Sequence, residues 1–142
     1  MRGRTLMIGL LGFAAVFAAA LTYFQFFAFY ERTTSPSEIA GLPVAGWEGI
    51  DAATSPLKLR ACFETEPGAA GALSPAPDAA PLTAPFWFGC FDARDLTRDL
   101  AAGQAAAYAL VRDEPDGFDL MLAVYGDGRA YLWRQLNARF RN

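Results

Sequence analysis

Cys62 and Cys90 are the residues whose type and spacing first suggest chemistry, and they are the only cysteines in the chain. A thiol oxidoreductase sets its cysteines as Cys-x-x-Cys, so that one thiol resolves the other. Here the two lie far apart. A cysteine-ligated copper centre needs His or Met beside the sulfur. The chain has no histidine, Met7 falls in an apolar run, and Met121 falls in a predicted strand. In an oxidising compartment, a pair within one small domain forms a disulfide. Closing a loop of about 29 residues would stabilise such a domain by roughly 3.5 kcal/mol. The structural bridge is the leading reading, with a redox couple and a metal site as the lesser ones.

The missing histidine also removes Ser-His and Cys-His nucleophile pairs and any histidine-ligated zinc. Ser55 stands near Lys58, the only lysine, but Ser55-Pro56 reads as a turn and no oxyanion site accompanies it. Asp113, Glu114, Asp116 and Asp119 crowd one turn without the EF-hand pattern. Gly126-Asp127-Gly128 lies between predicted strands and reads as a hairpin rather than a phosphate loop. No complete catalytic motif results, and the expectation is a non-enzymatic protein without cofactor or metal.

The element that must position all this is the stretch from Leu6 to Phe29, which carries no charge. As a helix, 24 such residues reach about 36 Å, enough to cross a bilayer core of about 30 Å. Arg2 and Arg4 precede it and no positive cluster follows. The positive-inside rule then predicts residues 1–5 in the cytoplasm and an uncleaved signal anchor over 6–30. It places the rest in the periplasm, which makes the chain a single-pass protein of the bacterial inner membrane. The alternative is a cleaved signal peptide ending at Ala18-Ala19-Ala20, which would leave an apolar aromatic tail on the mature protein. Tyr23, Phe24, Phe26, Phe27, Phe29 and Tyr30 form an aromatic belt at the far end. Ala14 and Ala18 make a small-x-x-x-small pair for packing against another helix, although alanine facing lipid is the simpler reading.

Beyond the anchor, residues 31–46 read as a Pro- and Gly-punctuated tether that lifts the domain off the bilayer. The domain itself is expected over 47–137, with 138–142 as a frayed tail. From Glu31 onward ten Lys and Arg face fifteen Asp and Glu. That balance gives no basic footprint for nucleic acid.

Residues 57–63 alternate as a half-buried strand, with Leu57, Leu59, Ala61 and Phe63 on one face. Residues 64–85 read as a long flexible loop. Asp92 is a predicted N-cap with Asp95 in the capping-box position, opening a short helix over 93–102 with Leu96 and Leu100 as its apolar stripe. Strands are predicted over 105–112, 118–125 and 129–136 as an antiparallel meander. The fold class is α+β, with about four antiparallel strands, one short helix and one disulfide after the membrane helix. Phe63, Trp87 and Phe91 are the expected packing partners of that bridge.

The densest aromatic run outside the anchor is Phe86-Trp87-Phe88, with Phe91 close behind. Several pieces around it carry a resemblance: Tyr30-Glu31, Gly49-Ile50-Asp51-Ala52, Ser55-Pro56-Leu57 and Arg60-Ala61-Cys62-Phe63. Two more are Ala84-Pro85 with Trp87-Phe88-Gly89-Cys90-Phe91-Asp92-Ala93, and Asp127-Gly128-Arg129-Ala130-Tyr131 with Trp133. Together they resemble an uncharacterised domain-of-unknown-function family of small single-pass membrane proteins from alphaproteobacteria, especially the Rhodobacter group. Some members bear a histidine-kinase label, which cannot describe a chain with no histidine and no room for an ATP-binding domain. The resemblance implies location and disulfide rather than an activity.

The functional expectation is a membrane-anchored accessory or assembly protein of a larger envelope complex. It would meet a protein partner through Phe86, Trp87 and Phe88 and through the helix face at Ala14 and Ala18. The alternative is a small-ligand-binding or enzymatic domain that uses the sheet face and the Cys62–Cys90 loop.

Overall fold

A computed structural model describes residues 2–140. Helix α1 spans Gly3–Phe26, has a mean hydropathy of 2.1 in its most apolar window and buries none of its side chains in the protein. By length and composition it is able to cross a membrane. Arg2 precedes it; Met1 lies outside the described residues, as do 141–142 of the expected tail.

The chain then enters the sheet at once. Among the described residues the strands are β1 (Glu31–Arg32), β2 (Glu38–Ile39), β3 (Leu42–Pro43), β4 (Ala45–Asp51) and β5 (Arg60–Glu64). They continue with β6 (Ser74–Pro75), β7 (Ala105–Val111), β8 (Phe118–Tyr125) and β9 (Arg129–Leu136). Seven of them form one antiparallel sheet in the order β1-β4-β5-β9-β8-β7-β6, and β2 pairs with β3 as a separate hairpin. β7, β8 and β9 form the predicted antiparallel meander, and Gly128, with φ +95°, makes the β8–β9 turn. A Cβ there would lie 2.3 Å from the Thr65 carbonyl oxygen.

The sheet has three strands more than the four expected, β1, β4 and β6: β1 and β6 come from segments read as irregular, and β4 from the expected start of the domain, where no strand was predicted. Residues 31–46 are not a bare spacer. Glu31 and Arg32 pair with Asp51 and Ile50, and Leu42 is 2% exposed. Gly49 lets this edge close: the Trp47 ring lies across it, and the indole N–H donates to the Thr33 hydroxyl at 3.1 Å.

Residues 64–85 are not a free loop either. They turn at Ala69–Ala72 beneath one face of the sheet and add β6 to the β7 edge, then cross to the other face, where Ala76 is buried. Pro75 fits there because it has no N–H to give and β6 is the last strand of the sheet.

Wrapping closes both faces. One core holds Ile50, Cys62, Met121, Tyr125 and Trp133 under Phe88, Phe91 and helix α2 (Ala93–Ala101). The second holds Leu59, Ala61, Phe63, Leu122 and Leu132 under Leu42 and Ala70. The 57–63 reading is corrected accordingly. A 3-10 turn occupies Pro56–Lys58, and Arg60 and Cys62, expected on a solvent face, are buried. Helix α2 starts where its cap predicts, with the Asp92 carboxylate accepting from the Asp95 amide at 3.0 Å. Arg139, in the segment expected to fray, is tied down by pairing with Asp113 and Asp116.

Candidate functional site

The predicted disulfide is present: Cys62 and Cys90 are bonded, with Cα atoms 6.3 Å apart. Cys62 lies on β5 opposite Tyr131 of β9, and Arg60 lies opposite Trp133, so all four side chains share one face. Phe91, next to Cys90, meets Tyr131 and Trp133 edge-on at 6.1 and 6.2 Å. Phe63 was expected at the bridge. By strand alternation it falls on the opposite face, against Trp47.

Two residues before Cys62, Arg60 makes a second attachment to the same covering segment. Its guanidinium donates to the carbonyls of Leu57 and Leu59 on its own side and of Leu82 and Thr83 across the gap, at 2.5 to 3.2 Å. Burial lowers its pKa to about 10. Hydrogen bonding of every arm is what makes a buried cation without a carboxylate tolerable. Residues 82–90 are therefore clamped to β5 at one end by carbonyl chelation and at the other by a covalent bond. Arg60 was missed as a site residue; its place two positions from Cys62 on one strand was the available signal.

The clamped segment carries Pro85-Phe86-Trp87-Phe88, and it faces the end of α1. The Trp87 indole N–H donates to the Phe26 carbonyl, one of the oxygens left free at the end of α1. The indole stacks on Phe27 at 6.0 Å and meets Tyr30 edge-on at 5.7 Å. Phe86 packs edge-on against Phe26 at 5.7 Å and Phe27 at 5.6 Å, yet stays 71% exposed. Phe29, with φ +68°, turns the chain out of the helix and is itself exposed.

Of the expected contact residues, then, Phe86 and Trp87 come together with the end of α1. Phe88 does not: it is 3% exposed and belongs to the core, so it has no surface to offer a partner. Ala14 and Ala18 are exposed on α1, with the Thr22 hydroxyl bonded back to the Ala18 carbonyl.

A polar cleft of about 510 Å³ opens beside the bridge, lined by Cys90, Asp95, Arg98, Asp99, Tyr125 and Arg129 among others. The Tyr125 hydroxyl donates to Asp99 at 2.5 Å, and Arg98 bonds the other carboxylate oxygen at 3.1 Å. Those two bonds hold the Asp99 carboxyl below the usual carboxylate range. Burial and the Asp99 carboxylate push the Tyr125 hydroxyl up. The Arg129 guanidinium lies over the Tyr125 ring at 4.2 Å.

The other weighed constellations resolve as scaffold. The Ser55 hydroxyl accepts from the Leu57 amide, and the Lys58 ammonium sits 5.1 Å from the centre of the Tyr30 ring. Asp119 accepts from Arg112, the Asp113 amide and Asn137. Among the described residues no group of three or more acids and cysteines is arranged to hold a metal ion.

The model of a family of unknown function, DUF6446, matches residues 31–142. The chain belongs to this family. No curated protein and no solved structure matches it. The DUF6446 match opens at Glu31, the first residue of β1, and so takes in the segment first read as a tether. It also contains both halves of the Arg60 and Cys62 clamp and the Phe86-Trp87 pair that meets α1.

Proposed function

We propose that this DUF6446 protein is a non-enzymatic accessory or assembly factor of a larger envelope complex. It is anchored in the bacterial inner membrane by α1, with its sheet domain in the periplasm. The observation that carries this reading is the aromatic junction. The domain does not swing on a linker: Trp87 bonds the last turn of α1, and the segment holding Trp87 is clamped twice to β5. A domain held at one attitude to its anchor suits a part that must present a surface to neighbours at a set height. Arg2 before α1 and Arg4 in its first turn support a cytoplasmic N-terminus, and the disulfide supports an oxidising compartment. The resemblance to small single-pass proteins of alphaproteobacteria agrees with both. The contact within the membrane is assigned to Ala14 and Ala18, whose small side chains let another helix approach.

The test is purification of the tagged full-length protein from native membranes in mild detergent, followed by mass spectrometry. A stoichiometric complex that is lost in the Ala14→Leu/Ala18→Leu variant is the expected result. Recovery of the protein alone, also after crosslinking, overturns the reading.

The polar cleft favours a second reading, a periplasmic domain that binds a small polar ligand beside the Cys62–Cys90 bridge. Convergent charged and hydroxyl groups in a concavity are what such a site needs. Its test is a screen of small polar metabolites by thermal shift, with a hit that disappears in Asp99→Asn.

A further inference from the structure

We propose that Phe86 and Trp87 form a second contact with the bilayer, so that the domain rests on the headgroup region beside α1 instead of standing clear of it. The inference rests on the reading that α1 spans the membrane.

Three observations carry it. First, the rings are continuous. Phe86 touches both Phe26 and Phe27, and Trp87 stacks on Phe27, so the aromatic belt of the helix passes into the domain without a break. A ring in contact with the last residues of a span sits at the depth where aromatic side chains concentrate. Second, Phe86 stays exposed although its segment is clamped on both sides, by the Leu82 and Thr83 carbonyls on Arg60 and by Cys90 on Cys62. Of its neighbours, Trp87 is half-buried against the end of α1, and Phe88 turns inward to the core. The clamp thus holds one large apolar ring outward, against Phe26 and Phe27, which are also exposed. Third, the charge is wrong for a purely electrostatic contact. The portion from Glu31 onward is net acidic, which weakly repels anionic headgroups. Insertion of rings, not charge attraction, is the chemistry this face offers.

The occupant is therefore the boundary between headgroups and acyl chains of the bilayer that α1 crosses. The contact is insensitive to salt, because ionic screening does not act on burial of an apolar ring.

The experiment uses the full-length protein, one copy per lipid nanodisc, with phosphatidylcholines brominated at shallow or deep acyl positions. The W47F variant, whose remaining indoles are Trp87 and Trp133, is compared with the same variant carrying F86W. The expected result is blue-shifted emission from the added indole and a larger loss of intensity with shallow than with deep bromines, unchanged by added salt. In a second variant, Phe86→Ala on W47F, quenching of Trp87 by shallow bromines falls.

Emission that is red-shifted and quenched by aqueous iodide overturns the proposal and leaves the domain standing off the membrane. Emission that is shielded from iodide but untouched by brominated lipid also overturns it, because protein would then cover the ring. Failure of the anchor reading shows separately, as release of the protein by alkaline extraction of membranes.

Discussion

On one face of the sheet, Cys62, Met121, Tyr125 and Trp133 lie under α2 and the clamped 82–91 segment; on the other, Ala61, Phe63, Leu122 and Leu132 lie under the β2–β3 hairpin and the turn at Ala69–Ala72. The first cover is held by specific bonds. Gln135 accepts from the Ala80 amide at 2.7 Å and donates to the Asp78 carbonyl at 3.1 Å. Arg60 holds 82 and 83, and the disulfide holds Cys90. Arg60, Asp99, Asp119 and Gln135, the buried polar residues among those described, all serve this face or its cover. The second cover rests mainly on apolar contact from Leu42, Ala70 and Leu73. Burial of oil on oil stabilises without fixing a position closely, whereas hydrogen bonds and a covalent bridge fix it. The closely fixed cover is also the one that meets α1. Positional precision in this molecule is concentrated where the domain joins α1.

The largest effect expected is from the core beneath that cover. Trp133 is fully buried, and Trp133→Ala should destabilise by about 4 kcal/mol, against about 3 for Leu132→Ala on the opposite face. Urea titration of the two variants measures the gap. Removing the bridge in Cys62→Ser/Cys90→Ser should lower stability by about 3 kcal/mol. In that variant hydrogen exchange should rise across 82–91 and stay as it was at 38–43 and 69–72. Equal loosening on both sides would break the comparison.

Leu42→Ala sharpens the comparison from the other side. It should lower stability by about 2.5 kcal/mol, open 38–43 to exchange and leave Trp87 fluorescence unaltered.

Asp119 gives the smallest effect at neutral pH but the clearest pH signature. Burial would raise its carboxyl, yet hydrogen bonds from Asn137, the Asp113 amide and Arg112 outweigh that and hold it below the usual range. Its contribution is therefore fully present above the unfolded carboxylate value and lost as pH falls through the lower folded value. Asp119→Asn should be destabilised by about 2 kcal/mol at neutral pH and show a shallower decline on acidification. An acid limb identical to that of the unaltered protein would remove Asp119 from the account.

Local pattern carried much of the fold. Residues 6–29 carry no charge, so α1 is legible from composition; Asp92 and Asp95 announce α2, and the strand pattern with its Asp-Gly hairpin signal announces β8 and β9 to the residue. Phe88 was misread because three adjacent aromatics look alike in sequence, and only the turn at 85–88, where the Phe88 amide donates to the Pro85 carbonyl, sends one to the core and one to solvent. The short strands β1, β2, β3 and β6 were invisible because two residues cannot display a period, and the longer β4 was missed because its Ala-Gly-Trp-Glu-Gly-Ile-Asp run shows no clean alternation.

What the sequence by itself determined is each element whose reason is local: the apolar helix, the capped helix, the hairpin-linked strands of the meander, and a cysteine pair whose natural fate is a bridge. What only the tertiary structure decided is everything that needs two distant stretches at once. The 64–85 segment becomes ordered only because β7 offers it an edge and Gln135 offers it bonds. Arg60 becomes a buried clamp only because Leu82 and Thr83 arrive with free carbonyls. Phe86 joins the aromatic cluster at the end of α1 only because Trp87 finds an unpaired carbonyl there. Such partners satisfy each other's polar groups across space, and no window of neighbouring residues contains both members of the pair.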